Sequence, residues 1–308
     1  MPTTPDLGFF DRYRELIDDW PAFLAALRRP LPTTLWANTL RCPPEPLAEF
    51  LRAEGADPEP IPWWPGGFRL PSWMRPGKSL GFLSGAFHLQ EEVSMLPVAL
   101  LDPQPGERFL DLCAAPGNKT LQAAVRMENR GTVMANDKSK GRLGVVRRHV
   151  ERLGLTNVVM TTADAGNLPK ACGPFQRVLA DVPCSCEGTS RKNPEVTRLK
   201  PTPGARAGAQ LAILRKAVSK CLPGGRIVYS TCTYAPEENE AVVDSLLREV
   251  EPGSLEVLPT HVEGFPAAPG VTEWQGRSYH PSLANALRAY PHLGDTGGFF
   301  CALLEKRA

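Results

Sequence analysis

No stretch of the 308-residue chain approaches the roughly 20 apolar residues that a membrane-crossing helix requires; the longest runs are short, such as Ser94–Leu101. The first twenty residues hold no basic segment followed by an apolar core, so a secretory signal is not expected and a cytoplasmic location is. Charge of one sign is also missing: 35 basic side chains face 33 acidic ones, for a net charge of +2. Repeats of 20–50 residues and low-complexity tails are absent. Without an export signal, the eight cysteines are not expected to form a disulfide framework. Zinc fits poorly too, because the Cys184-x-Cys186 pair has no C-x-x-C partner and only five histidines are present; no metal is expected. Hydrophobic residues at 42% and charged residues at 22% are ordinary globular values, which excludes whole-chain disorder. At roughly 100–200 residues per domain the length suggests about two domains.

The small net charge hides an uneven distribution. Residues 96–200 carry 16 basic and 10 acidic side chains, whereas the segments before and after are slightly acidic. The excess clusters at Lys138, Lys140, Arg142, Arg147, Arg148 and Arg152, and again at Arg191, Lys192, Arg198 and Lys200. Such clusters are either solvated helix faces or a track for phosphates. Prolines crowd residues 43–76, where short elements and turns are expected. From Pro105 onward, short apolar strands alternate with helical patterns, the signature of βαβ units and a parallel sheet. Strands are expected at 108–112, 132–136, 158–161, 177–180, 226–230, 255–258 and 299–304. Helices are expected near 119–127, 141–153, 206–221 and 237–249. This is a seven-stranded, mostly parallel, doubly wound α/β domain with an antiparallel last pair. Pro223-Gly224-Gly225 reads as a turn before the fifth strand, and the domain boundary falls near 88–104.

Ligands of open α/β sheets bind beyond the carboxyl ends of the strands. Five consecutive strands here end on polar or nucleophilic residues: Asp111 with the loop Cys113-Ala114-Ala115-Pro116-Gly117-Asn118-Lys119, then Asp137, Asp164, Asp181 with Pro183-Cys184, and Cys232. One such Asp is ordinarily a cap or turn residue; five in succession mark a shared rim. The first loop is neither a P-loop, since Asn118 precedes Lys119, nor a G-x-G-x-x-G loop. A ligand with a carboxylate and an amine fits it better than a pyrophosphate. Asp137, 20 residues past Gly117, is placed to accept from ribose hydroxyls. Ribose without pyrophosphate points to S-adenosylmethionine, with Asp164 near the adenine edge. Cys172, Cys221 and Cys301 read as inert packing. Cys184 and Cys232, at the ends of adjacent strands, can carry lowered thiol pKa values. A thiolate beside a methyl donor suits cytosine C5, which becomes nucleophilic only after addition at C6.

The segments Asp-Leu-Cys-Ala-Ala-Pro-Gly-Asn-Lys-Thr (111–120), Asp-Val-Pro-Cys-Ser-Cys-Glu-Gly (181–188) with Arg-Lys-Asn-Pro (191–194), and Tyr-Ser-Thr-Cys-Thr-Tyr-Ala-Pro-Glu-Glu-Asn-Glu (229–240) together resemble the Sun-domain (Fmu-like) RNA cytosine-C5 methyltransferases. The approach segment Gln90–Ser94 and the tail Arg288–Phe300 are similar as well. The likeness covers about residues 85–308 and extends weakly to Asn38-Thr39-Leu40-Arg41. It implies a Rossmann-like class I methyltransferase domain over 91–308 and a small α+β RNA-binding region, ferredoxin- or RNA-recognition-like, over 1–90. It also implies Cys232 as nucleophile, Cys184 as the residue assisting product release, and Lys192 near the target base. Cys113, Ala114, Ala115, Pro116, Gly117, Asn118, Lys119, Asp137, Arg142, Asp164 and Asp181 would line the cofactor site. Asp181 is also the candidate to hydrogen-bond the pyrimidine N3, which requires it to be protonated or to share a proton.

The sequence departs from the family at Asn118 and Cys186, where relatives often carry Gly, and at Trp36-Ala37. The expected partner is RNA, ribosomal first and transfer RNA second, with no obligate protein partner and a monomeric chain. Rival readings are a DNA cytosine-C5 enzyme using the Pro-Cys thiolate, a non-catalytic RNA-binding module and a small-molecule methyltransferase.

Overall fold

The structure, a computed structural model, describes residues 4–199 and 202–307. A 3-10 segment (Leu7–Leu16) and α1 (Trp20–Arg28) precede a small sheet of β1 (Thr33–Ala37), β2 (Glu59–Pro60), β3 (Gly67–Leu70) and β4 (Phe87–Leu89). Helix α2 (Pro44–Ala53) lies between β1 and β2, and the single turn α3 (Leu80–Leu83) between β3 and β4. The strand order is β2-β3-β1-β4 and every neighbour is antiparallel. This β-α-β-β-α-β connectivity is that of ferredoxin-like folds. Leu47, Ala48 and Leu51 of α2 close the small core against Leu35, Ala37, Phe68, Leu70 and Phe87.

Helix α4 (Leu96–Leu101) leads into the larger unit, built from β5 (Arg108–Asp111), α5 (Asn118–Arg126), β6 (Thr132–Asn136), α6 (Lys140–Leu153), β7 (Val158–Thr161) and β8 (Phe175–Asp181). It continues through α7 (Ala207–Lys220), β9 (Cys221–Thr231), α8 (Glu240–Leu247) and β10 (Leu255–Leu258). After β11 (Ala268–Pro269) come the two-residue ladder β12 (Glu273–Trp274) and β13 (Arg277–Ser278), then β14 (Leu287–Ala289), the turn α9 (Pro291–Gly294) and β15 (Phe299–Lys306). Five strands run parallel in the order β7-β6-β5-β8-β9, and β15 joins β9 antiparallel. The order reverses between β5 and β8, so a crevice opens there above the strand ends.

Side chains that alternate along each strand feed two cores. Val178, Ala180, Ile227 and Tyr229 face one cluster, while Leu179 and Val228 face the other. With both faces covered, the central strands read as continuous apolar text. Helix α6 shows why its sequence is helical. Ser139 caps its first turn by accepting from Arg142 N–H, Leu143, Val146, Val150 and Leu153 form one buried stripe, and Gly154 ends it at φ 72.

All seven expected strands are present. Two short ones, β11 and β14, extend the sheet to nine. They come from the 259–298 insertion, whose few-residue strands carry no periodicity to read. Pro223-Gly224-Gly225 does not precede the fifth strand but bulges within it: Phe175 pairs with Cys221, and two residues later Arg177 pairs with Arg226. Helix α8 begins at Glu240 rather than 237 because residues 236–239 form a turn in which Ala241 N–H reaches Pro236 O.

The first residues are not part of the small sheet. Phe10, Tyr13, Ile17, Trp20, Phe23 and Leu27 pack in the same cluster as Ile213, Leu214 and Tyr234 of the larger unit. Elsewhere the two units are clamped. Arg152 of α6 donates to Phe82 O and Phe87 O and lies over the Phe82 ring, 3.9 Å from its centroid. Asn38 Nδ2 donates to Leu153 O.

A buried ion pair ties the insertion to the turn after β9. Arg288 donates to both Glu240 carboxylate oxygens at 2.7 and 2.5 Å and to Tyr234 O at 3.0 Å, with the two side chains 2% and 0% exposed. Removing one partner strands the other charge in the core. Arg288→Ala is therefore expected to lower stability by about 3–5 kcal/mol in urea denaturation; a loss below about 1 kcal/mol would show the pair to be expendable.

Candidate active site

The loop after β5 is shaped by its own sequence. Asp111 is buried and accepts from Thr120 Oγ1 at 2.7 Å and from Cys113 N–H at 3.3 Å, folding the chain back on itself. Gly117 adopts φ 117, where a Cβ would lie 3.2 Å from Val146, and opens α5 with no side-chain cap. The first N–H groups of α5 are thus free for an anionic ligand. Asp137, past β6, accepts from Ala115 N–H at 3.3 Å and Ser139 N–H at 2.9 Å. Arg142 pairs with Asp137 at 3.3 Å and also donates to Ala115 O, so it braces the loop and the carboxylate together. Asn118 Oδ1 accepts from His88 Nε2 at 3.0 Å, while Arg152 Nη2 donates to His88 Nδ1 at 2.7 Å. Burial pushes His88 down to about 3, so the ring is neutral and holds this one tautomer.

Asp181 closes β8. Its carboxylate accepts from Lys119 Nζ at 2.7 Å and from Ser230 Oγ at 2.7 Å, because Asp181 and Ser230 are paired across β8 and β9. Burial opposes the Lys119 charge, but the Asp181 carboxylate outweighs it and holds the ammonium protonated. Asp181 is thus held in an ion pair with a protonated Lys119.

The same register brings the two cysteines together. Cys184 Sγ lies 3.3 Å from Cys232 Sγ and accepts from Cys232 N–H at 3.3 Å. The turn that carries Cys232 is held by buried Asn239, which accepts from Thr231 Oγ1 at 2.5 Å and donates to Thr233 O at 3.1 Å. Ser185 Oγ donates to Thr233 Oγ1, which donates to Glu187, and Tyr13 OH from the N-terminal segment donates to Glu187 at 2.6 Å.

A lowered Cys232 pKa is not what the structure shows. A hydrogen bond with Cys184 lowers it, but the bond with Cys186, burial and the Cys186 charge together raise it well above an ordinary thiol. Cys184 is raised as well, first by its hydrogen bonds to Cys186 and Cys232. The low-pKa thiol is Cys186, held down to about 3 by hydrogen bonds from both neighbours, with the Arg206 guanidinium adding to the effect.

Cys232 opens onto a cleft of about 910 Å³ between the two units, whose walls include Arg75, Lys78, Gln90, Asn118, Lys192 and Phe299. Lys192 is exposed on that wall. Asp164 is exposed on the rim, where its carboxylate accepts from neighbouring Asn167 Nδ2 at 3.3 Å, so it stands apart from the others. The basic clusters do not form one track. Arg152 turns inward, Arg142 stays exposed but is held by Asp137 and Ala115 O, Arg147 pairs with Glu151, and the Arg191 side chain is 1% exposed, donating to Arg29 O, Thr296 O and Asp295. Lys200 lies outside the described residues. The roles of Ser230, Thr120, Asn239 and Glu187 as supports escaped the sequence reading, although all but Thr120 and Ser230 follow a motif cysteine within seven residues. No helix among the described residues is long and apolar enough to cross a membrane.

This sheet order, with the loop after β5 and two cysteines at neighbouring strand ends, defines a Rossmann-like class I methyltransferase with a small α+β N-terminal unit. Residues 98–305 match the family model described as 16S rRNA methyltransferase RsmB/F, and residues 6–92 match the N-terminal domain of 16S rRNA methyltransferase RsmF. The chain belongs to the RsmB/F methyltransferase family. It is 37% identical over 92% of its length to a mouse 28S rRNA (cytosine-C(5))-methyltransferase, of which it spans only 36%. It is 35% identical over 96% of its length to a tRNA (cytosine(49)-C(5))-methyltransferase of Pyrococcus abyssi, covering 94% of that protein. Among solved structures, a methyltransferase homolog protein from Pyrococcus horikoshii superimposes with a TM-score of 0.82 at 30% identity, over 98% of this chain and 99% of that one.

Burial raises Asp111 to about 7, helped by the nearby Asp181 charge. The folded chain then keeps a proton that the unfolded carboxyl loses near 3.8, so this group favours folding at low pH and the contribution fades as pH rises toward 7. Asp111→Asn removes the titration. Wild-type stability relative to this variant is expected to fall between about pH 4 and pH 7 in urea midpoints; parallel profiles would refute it.

Proposed function

We propose that this protein transfers a methyl group from S-adenosylmethionine to C5 of a cytidine in RNA. The observation that carries the reading is the 3.3 Å approach of the Cys184 and Cys232 sulfurs at one rim, with Cys232 lining the cleft. The donor set around that loop fits the cofactor. The free N–H groups of α5 suit its carboxylate, and Asp137, braced by Arg142, suits the ribose hydroxyls. Cys113–Lys119, Asp164 at the adenine side and Asp181 would complete the site. When bound, S-adenosylmethionine supplies an electrophilic methyl on a sulfonium.

The chain's own residues supply the rest. The target base must leave its stack to enter the cleft. Cys232, as thiolate, adds to C6 and makes C5 nucleophilic. Asp181 is placed to hydrogen-bond N3, the proton coming from the Lys119 ammonium through the carboxylate as negative charge develops on the ring. After C5 loses its proton, elimination frees Cys232, and Cys184 at 3.3 Å is positioned to assist. Lys192 and the exposed cations of the cleft wall meet the RNA backbone. The 1–90 region forms the other side of that cleft and is its RNA-facing part.

Ribosomal RNA is the first substrate expected and transfer RNA the second, in line with the names of the mouse and archaeal relatives; a cytoplasmic location belongs to the same proposal. The rival DNA-type chemistry would use Cys184 as nucleophile. Cys232→Ala is expected to abolish both methyl transfer and covalent capture of RNA, a loss of orders of magnitude. Cys184→Ala is expected instead to trap enzyme on RNA, visible as a slow band on a denaturing gel. Normal turnover by Cys232→Ala with a silent Cys184→Ala would reverse the assignment. Methyl incorporation into DNA but not RNA would replace the substrate.

A further inference from the structure

Cys186 is the member of the thiol cluster that cytidine methylation does not use. Its backbone sits in the left-handed region at φ 64, at the start of the one-turn 3-10 segment 187–189. That conformation turns its Sγ back over the preceding loop, where it lies 3.3 Å from Cys184 O. The sulfurs of Cys184, Cys186 and Cys232 all lie within 4.8 Å of one another. We propose that these three thiols form a binding site for a soft divalent d10 cation, Zn(II) or Cd(II), and that occupation of the site masks the nucleophile and switches the enzyme off.

The dimensions suit such an ion. Bonds of about 2.3 Å to sulfur place tetrahedral thiolates about 3.8 Å apart, and the cluster needs only small side-chain rotations to reach that spacing. An all-sulfur set selects soft cations over magnesium or calcium. Three protein ligands leave a fourth position open for water. Cys232 faces the cleft, which gives an ion an entry path, whereas Cys184 is buried and Cys186 half-buried. The charges balance as well. All three sulfurs bind as thiolates, any proton they carry passing to solvent, so a divalent ion there carries a net −1. The Arg206 guanidinium acts on Cys186, and the Lys119 ammonium and Cys232 act on each other, so positive charge is near the cluster. Asp181 is already paired with Lys119. Because the ion engages Cys232, metal and RNA exclude each other.

The switch rests on the methyltransferase reading, but binding is measured without RNA. Reduced, metal-free protein is titrated with Cd(II) and followed by the ultraviolet charge-transfer band of cadmium–thiolate bonds. The wild type is expected to bind one tight equivalent. Cys186→Gly removes one ligand at a backbone position that glycine tolerates. It is expected to weaken binding by more than the roughly 10–100-fold that loss of an outer-shell partner costs. Cys42→Ser, far from the cluster on the small unit, is expected to bind as the wild type does. No band in the wild type, or equal affinity in Cys186→Gly, overturns the site. In the second arm, Zn(II) inhibition of RNA methylation, reversed by chelator, is expected at much lower concentration for wild type than for Cys186→Gly, each against its own metal-free rate. Equal inhibition of the two overturns the switch. A wild type that binds Cd(II) but methylates no RNA defeats the functional reading and leaves the metal site standing.

Discussion

The pairing of β8 with β9 is the constraint on which the site depends. Asp181 sits opposite Ser230 in that ladder, so the two turns that follow leave the sheet side by side. A one-residue slip would send every side chain of one strand to the opposite face and part the two sulfurs. The register is fixed at the other end by the bulge at 222–225, which absorbs extra residues before Arg226 meets Arg177. It is fixed laterally by β15, which pairs with β9 over six residues from Phe300 to Glu305. The chemistry at the rim is therefore as precise as the sheet beneath it.

Electrostatics at the rim follow from burial combined with proximity. Asp181 and Lys119 pair at 2.7 Å, and Asp111 is buried next to that pair. Asp111 and Cys186 are the groups moved furthest from the ionisation their residue types have in water, Asp111 by burial and Cys186 by hydrogen bonds from its neighbouring thiols. The most buried sulfur, Cys184, is kept protonated.

Much of this was legible in the sequence. Apolar runs separated by helical patterns placed the parallel strands β6 and β7 and the antiparallel β10 at their observed bounds, and the polar strand ends marked the rim. Three things were not. The strands β11 and β14 have two and three residues, too few for any period. The lowered Cys186 thiol depends on three-dimensional neighbours, not on the strand-end position that favoured a reactive Cys232. The membership of the first residues in the larger core was readable but missed: Phe10, Tyr13, Ile17, Trp20, Phe23 and Leu27 recur every three or four positions. Arg191 and Arg152 show the converse error, since charge clustered in sequence served packing rather than a surface.

That early helical segment has a consequence for how the cleft behaves. The small sheet is strung between two stretches of chain, Leu7–Arg28 before it and Leu96–Leu101 after it, and both are embedded in the hydrophobic interior of the larger unit. It is mounted like a bracket with two fixings rather than a flag on one pole. His88, gripped by Arg152 on one side and by Asn118 on the other, adds a third fixing that leads straight to the cofactor loop. A load on the small sheet is therefore passed through His88 to the Asn118 side chain at the start of α5, and under the proposed function that links the RNA-facing unit to the loop proposed for the methyl donor.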